Sequence, residues 1–112
     1  MTPKTKNTLA WVLSILGAAG YVMAGLPKVL GQAAASFEGW GYPGWFSYLV
    51  GATEMSGGIG LLIPKLAKWA AIGLILVMLG AVYTEATNSG LAVRPLPWMV
   101  LAGLVAWLRW DA

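Results

Sequence analysis

Between Lys6 and Lys28 the chain carries no charged residue, and the run from Thr8 to Leu26 inside that interval is long and apolar enough to cross a bilayer as one helix. Nothing else in the sequence constrains the fold as much. A bilayer core offers no water to an unpaired backbone N–H or C=O, so a spanning segment of this length has to be helical. Three further apolar runs follow. Trp45 to Ile63 contains a single charge, Glu54; Trp69 to Thr84 contains none; Pro95 to Leu108 is the shortest and lies between Arg94 and Arg109. With 59% hydrophobic and 10% charged residues, the chain lacks the polar surface that a soluble domain of 112 residues needs to cover its core. The expected fold is all-α: one four-helix transmembrane domain over residues 1–112, with spans of about 8–26, 45–63, 66–86 and 95–110. The fourth run reaches across a membrane only if Arg94 and Arg109 snorkel or the bilayer thins. The first is too long for the apolar region of a signal peptide and runs into Gly25-Leu26-Pro27-Lys28, so it is expected to remain as a span.

The connections are read from turn chemistry. Pro27 and the stretch from Gly31 to Gly44 break the helical period, and Gly39-Trp40-Gly41-Tyr42-Pro43-Gly44 is dense in turn residues, so 31–44 is expected to be a loop. Its Phe37, Trp40 and Tyr42 suit an interface or a cap folded over the bundle better than free solvent. Pro64-Lys65-Leu66-Ala67-Lys68 reverses the chain in few residues. Orientation follows from the cations: with both termini cytoplasmic, Lys4, Lys6, Lys65, Lys68 and Arg109 lie inside, and Lys28 and Arg94 outside. The seven tryptophans agree, with Trp11, Trp69, Trp107 and Trp110 at inner helix ends and Trp40, Trp45 and Trp98 at outer ones. A multi-pass protein of a bacterial or archaeal cytoplasmic membrane is the expected setting.

Several function classes fall away on composition. The formal charge of +3 arises from cations at the ends of apolar runs, not from a cluster, so nucleic acid is not an expected partner. With no cysteine and no histidine, the chain encodes no disulfide, thiolate metal site, iron–sulfur cluster or His-ligated haem. No metal site is expected. Redox chemistry would need a bound cofactor, with a quinone as the candidate, or a partner in a membrane redox complex. A homo-oligomer is the other expected association, besides the lipid bilayer itself.

Chemistry concentrates on Glu54. Near a bilayer midplane a charged side chain costs roughly 2.5–3.5 kcal/mol on insertion scales, so it calls for a partner or a task. Ala52, Ser56 and Gly60 recur every fourth residue and are expected to form a face that lets another helix approach closely. Glu54 then faces protein. Unpaired, it would be a proton-transfer group; paired with Lys28, it would be an ion pair whose desolvation is offset by attraction. On ideal helices Lys28 lies roughly 10 Å above Glu54, near the limit of the two side chains. Glu85 is closer to Lys28 in depth, and Tyr21 is closer to Glu54 and able to donate to it. The candidate catalytic set is therefore Glu54, Lys28 and Tyr21, and the candidate ligand-binding set is Glu85, Trp40, Tyr42, Trp45 and Tyr83. Each has a plainer reading: Glu54 as a register lock, Lys28 as a snorkelling lysine, Glu85 as a solvated helix end before Thr87-Asn88-Ser89-Gly90, the aromatics as an interface belt.

Three segments carry a resemblance. Ala24-Gly25-Leu26-Pro27-Lys28-Val29-Leu30, Val50 to Pro64 with Glu54 followed by small residues and Leu61-Leu62, and Met78-Leu79-Gly80-Ala81-Val82-Tyr83-Thr84 resemble the DoxX-like membrane proteins in order and spacing. The likeness covers roughly residues 8–108. It implies a four-helix membrane fold, with Lys28 and Glu54 at matching positions and Glu85 where many members have His. The functions it implies are mixed: subunits of quinone-linked sulfur-oxidising enzymes, members of membrane redox complexes, and proteins linked to lipophilic metabolites. Three readings stand side by side. The first is a redox-accessory or quinone-binding subunit with a site at Glu54. The second is a small membrane enzyme using Glu54 as acid or base on a lipophilic substrate, with Lys28 or Tyr21 polarising an oxygen. The third is a proton-coupled small multidrug exporter, whose relatives carry their glutamate in the first helix instead of the second.

Overall fold

The computed structural model describes residues 1–88 and 95–111 of the chain. Among these residues all regular structure is helical: α1 (Pro3–Val29), α2 (Ala34–Gly39), α3 (Trp45–Gly60), α4 (Pro64–Asn88) and α5 (Leu96–Leu108). α1 packs against α3 and α5, α4 packs against the same two, and the short α2 lies on α3. The turn expected at Thr87 to Gly90 falls partly outside the described residues, as does Arg94; Thr87 and Asn88 still belong to α4.

α1 starts where its sequence supplies a cap. The Thr2 side chain accepts the Thr5 N–H at 3.1 Å, and Pro3 stands in the first turn, where its missing N–H is no loss. The helix does not stop at Leu26. It carries Pro27 within its last turn and ends one residue beyond Lys28 in a Schellman motif, with Gly31 N–H on Lys28 O at 3.1 Å and Gln32 N–H on Pro27 O at 2.9 Å. Gly31 has φ 87°, a conformation that favours glycine. Lys28 is thus a helical residue on the same face as Tyr21 and Gly25.

The stretch 31–44 corrects the expectation of a loop, because six of its residues form α2. α2 closes with the same motif: Gly41, at φ 92°, bonds to Glu38 O and Tyr42 N–H bonds to Phe37 O, both at 3.0 Å. The residues that read as turn signals end a short helix instead. Phe37 is buried and is what fastens the helix to the bundle.

α3 also departs from expectation. Its buried residues are Ser47, Gly51, Glu54 and Gly58, a stripe facing α1, whereas Ala52 and Ser56 are exposed. The two stripes differ by about one residue, or roughly 100° of rotation. Gly60 does lie near α4, since a Cβ there would stand 2.8 Å from Ala70 Cβ. The seam with α1 is closer. A Cβ on Gly25 would meet Gly51 O at 2.5 Å, and one on Gly51 would meet Gly25 O at 2.7 Å, so the two backbones touch through glycines. Gly58 meets Ala18 and Tyr21 further along, which makes the pair antiparallel. Tyr21, Leu61, Ala71, Leu74, Met78, Ala102 and Val105 belong to the common core.

Arg109, whose snorkelling is one of the two ways the fourth run could reach across a bilayer, is buried. Its Nη1 donates to Asn7 Oδ1 at 3.0 Å and its guanidinium lies 5.0 Å from the centre of the Trp11 ring. Beside it Lys68 Nζ donates to Trp110 O at 2.8 Å, so α1, α4 and α5 are tied together at this end.

Candidate functional site

Lys28 and Glu54 form an ion pair, with Nζ 2.6 Å from Oε1. The roughly 10 Å depth gap expected from ideal helices closes for two reasons. Side chains on a helix lean toward its N-terminus, so in this antiparallel pair Lys28 leans into the bundle and Glu54 leans toward the Lys28 end. The glycine seam also brings the lysine stem alongside α3: Lys28 Cβ is the atom that a Cβ on Gly51 would meet, at 2.6 Å. Glu54 stands less than one turn from Gly51. The carboxylate is 2% exposed and the lysine side chain 25%, so the pair is buried at its acidic end and reachable at its basic end.

The pair borders a cavity of about 490 Å³ between α3 and α4 under the α2 segment, and both members line it. Val50 lines it from α3, four residues before Glu54 on the same face. α4 borders it over a broad arc between Leu76 and Glu85, with Met78, Ala81, Tyr83 and Thr84 among the lining residues. Phe37, Trp40, Tyr42 and Phe46 flank its mouth at the α2 end. Their rings contact one another, with centroids 5.3 Å apart for Phe37 and Trp40 and 5.5 Å for Tyr42 and Phe46. A hydrogen bond of 2.8 Å between the Tyr42 and Thr84 hydroxyls ties this aromatic cap to α4. An apolar chamber with a few convergent polar groups is the usual form of a small-molecule site.

The sequence profile of the DoxX-like family matches residues 12–107, which include the pair and all of the cavity wall. The chain belongs to the DoxX-like family. No curated protein and no solved structure matches the chain. DoxX-like proteins are membrane-associated, and this one has two helices long and apolar enough to cross a membrane, α1 and α4. Only 33% and 22% of their most apolar stretches are buried, whereas the core helix of a soluble protein is mostly buried. Leu16, Met23, Leu76, Leu79, Trp69 and Trp107 are among the large apolar side chains left facing outward, which suits lipid.

Of the site residues proposed for this DoxX-like chain, Glu54, Lys28, Glu85, Trp40, Tyr42 and Tyr83 line the cavity. Two do not. Tyr21 is buried behind the pair, but its hydroxyl donates to Trp98 O at 2.6 Å instead of to Glu54, because α5 offers a carbonyl there while Glu54 already turns to Lys28. Trp45 stands at the start of α3 with 64% of its surface exposed, its ring edge-to-face with Phe46 at 6.0 Å between centroids, and it lies outside the wall. Phe37, weighed as an interface or cap residue, and Phe46, weighed as an interface belt or a ligand wall, also line it, whereas Val50, Met78 and Thr84 were not expected as wall residues. Spacing could have found Val50 and Met78, through the Glu54 and Glu85 faces. Thr84 gave no signal, since a helical threonine ordinarily bonds its own helix. Among the described residues no group of three His, Cys, Asp or Glu is placed to hold a metal.

Proposed function

We propose that this DoxX-like protein is a four-span integral membrane subunit with both termini cytoplasmic, and that its cavity holds the apolar head of a lipophilic ligand, a quinone being the best fit. The observation that carries this reading is the position of a closed Lys28–Glu54 pair on the wall of an aromatic-capped apolar chamber. A register lock needs no chamber and no cap. Lys28 can give a ligand oxygen a charge-assisted hydrogen bond without leaving Glu54, because an ammonium has three protons. The aromatic cap supplies flat apolar surface for a ring. Electrons would be exchanged with a partner protein, and the chain's own residues bind and orient the head group. The residues 31–44 then lie on the extracytoplasmic side.

Glu54→Gln separates this from a structural role. It removes the charge and keeps the shape, so a mere register lock should fold as well as the parent and retain the same bound molecules. On the ligand reading the variant folds but loses the lipophile that copurifies with the parent, because Lys28 is no longer held in place over the chamber. Mass spectrometry of lipophilic molecules extracted from both proteins, purified side by side across a pH series, decides. Identical content and identical pH dependence would sink the ligand role. Reporter fusions near Ser36 and after Ala112 check the orientation; an extracytoplasmic signal after Ala112 would remove α5 as a span.

A further inference from the structure

On α4 the cavity wall has two flanks of opposite exposure. Met78 and Thr84 line it from the buried side of the helix, whereas Leu76, Gly80 and Tyr83 line it from a side that faces outward. The last three are spaced by four and three residues, so they form one stripe along α4. Leu76 and Tyr83 keep 64% and 66% of their surface exposed while bordering the same space as Glu54, which keeps 2%. A wall residue is exposed to that degree only at a gap. Gly80 lies in the middle of it: a Cβ built there meets nothing within 4 Å, so among the described residues no side chain stands over it. On α3 the wall residues Phe46 and Val50 are half-buried. The chamber therefore opens sideways, between α3 and α4, as well as toward the aromatic cap. Depth decides what it opens to. Leu76 is the middle one of the 25 residues of α4, and Tyr83 stands roughly 10 Å nearer the α2 end. When α4 crosses a bilayer, whose hydrocarbon core is about 30 Å thick, that stretch lies among acyl chains.

We infer that the ligand is a ring carrying a long apolar chain and that it enters sideways from the bilayer; this rests on the quinone reading above. The ring sits against Lys28 and Glu54 at the enclosed polar end, and the chain passes over Gly80, between Leu76 and Tyr83, into the lipid. The chain then never leaves apolar surroundings when the head binds. A route through the cap would draw it toward water, and each methylene so moved carries a transfer cost. The side chain missing at Gly80 is what leaves room for the chain. A ring without a chain makes the same head contacts and has no need of the gap.

The test uses the full chain in detergent, with calorimetric titration as the readout and two probes: duroquinone, and its analogue in which one ring methyl is extended to a decyl chain. Both should bind the parent. Gly80→Phe fills the gap and should weaken the decyl probe about tenfold, the equivalent of roughly two methylenes drawn out of apolar surroundings, while duroquinone stays within about twofold. Parent and variant are compared in the same micelles, so partitioning of the probe cancels. Leu79→Phe, outward on α4 but outside the cavity wall, should change neither probe. An equal loss of both probes in Gly80→Phe, or no loss of either, would overturn the side opening and leave the ligand site standing. A second measurement needs only the parent and decides even if Gly80→Phe unfolds. A decyl probe with a photoreactive diazirine on the chain close to the ring should label α4 between Leu76 and Tyr83. Labelling confined to residues 31–44 would overturn the inference. Binding of neither probe by the parent would overturn the quinone reading and this inference together.

Discussion

α3 has two seams, and they are built in opposite ways. Toward α1 it presents glycines, and the backbones approach so closely that Gly51 has the Lys28 stem and the Gly25 carbonyl where a Cβ would stand. Toward α4 it leaves the cavity near the mouth and, further along, a shallow groove lined by Ala52, Thr53, Ser56 and Gly57 on one side and Ala70 and Gly73 on the other, and it meets α4 closely only at side chains, where Gly57 and Gly60 face Leu74 and Ala70. The tight seam positions charge and the loose one makes room. Either alone would be unremarkable: a glycine seam without a chamber would bury an ion pair for register, and a chamber without the seam would leave Lys28 out of reach of Glu54.

Breaking the tight seam should have the largest effect. Gly51→Ala puts a methyl group 2.6 Å from Lys28 Cβ, 2.7 Å from Gly25 O and 3.0 Å from Val29 N, and two of those atoms are backbone that cannot swing aside. The helices must separate, and the ion pair separates with them. Thermal unfolding in detergent should show a loss exceeding that of any single charge substitution, while Gly80→Ala, with nothing within 4 Å of the added atom, should be close to the parent. Next comes Lys28→Met, which leaves Glu54 buried and unpaired and should cost about 3–5 kcal/mol. Glu54→Gln should cost less, because the lysine is one-quarter exposed and can turn to water. In the double variant Lys28→Met with Glu54→Gln much of the loss should return. A double variant no more stable than Lys28→Met alone would show that the pair is not what the seam holds.

How much of this could be read in the sequence follows from which forces act locally. The apolar runs, the helix positions and the isolation of Glu54 were legible because hydropathy and charge are properties of the chain itself. The resemblance carried Lys28 and Glu54 as a pair of positions, but not their contact. That contact depends on an antiparallel lean and a glycine seam, and the latter was assigned to Ala52, Ser56 and Gly60 because those small residues repeat as evenly as the true stripe. Glu54 was the better guide, since a buried carboxylate marks the buried face. Trp40 and Tyr42 were legible as interface or cap residues without a choice between the two, whereas Trp45, three residues on, starts α3 on the outward side, and nothing local distinguishes it. Tyr21 was misread for a tertiary reason, the presence of a carbonyl on α5.

A smaller effect belongs to the cap over the loose seam. Gly41→Ala meets no atom within 4 Å, so its whole cost is the left-handed backbone at φ 92°, about 1–2 kcal/mol. The motif that ends α2 also presents Tyr42 to Thr84. The variant should therefore lose ligand affinity beyond its modest loss of stability, whereas the methyl group of Gly31→Ala, at the end of α1, would meet the Tyr48 hydroxyl instead. Equal affinity of Gly41→Ala and the parent would mean that the Tyr42 contact does not close the chamber.

The smallest effect should come from the groove of the loose seam. Ser56 is exposed on the α3 surface and lines the groove with Ala52, Thr53 and Gly60 on its own helix and Leu66 and Ala70 on α4. If small residues there existed to admit another helix of the bundle, Ser56→Leu would overpack it and cost about 1–3 kcal/mol, as overpacking of a filled interior does. Ser56 stands exposed at the edge of this groove and is not packed into α4, so the leucine extends over open space and toward lipid. Its thermal stability should lie within about 0.5 kcal/mol of the parent, the range of surface changes away from packed features. The lipophile content should not change, since the groove and the chamber are lined by different residues of α3: Val50 and Glu54 for the chamber, Ala52, Thr53 and Ser56 for the groove. A large destabilisation by Ser56→Leu would show that the two seams are alike and that the contrast between them is wrong, and Gly51→Ala measured alongside gives the scale on which to judge it.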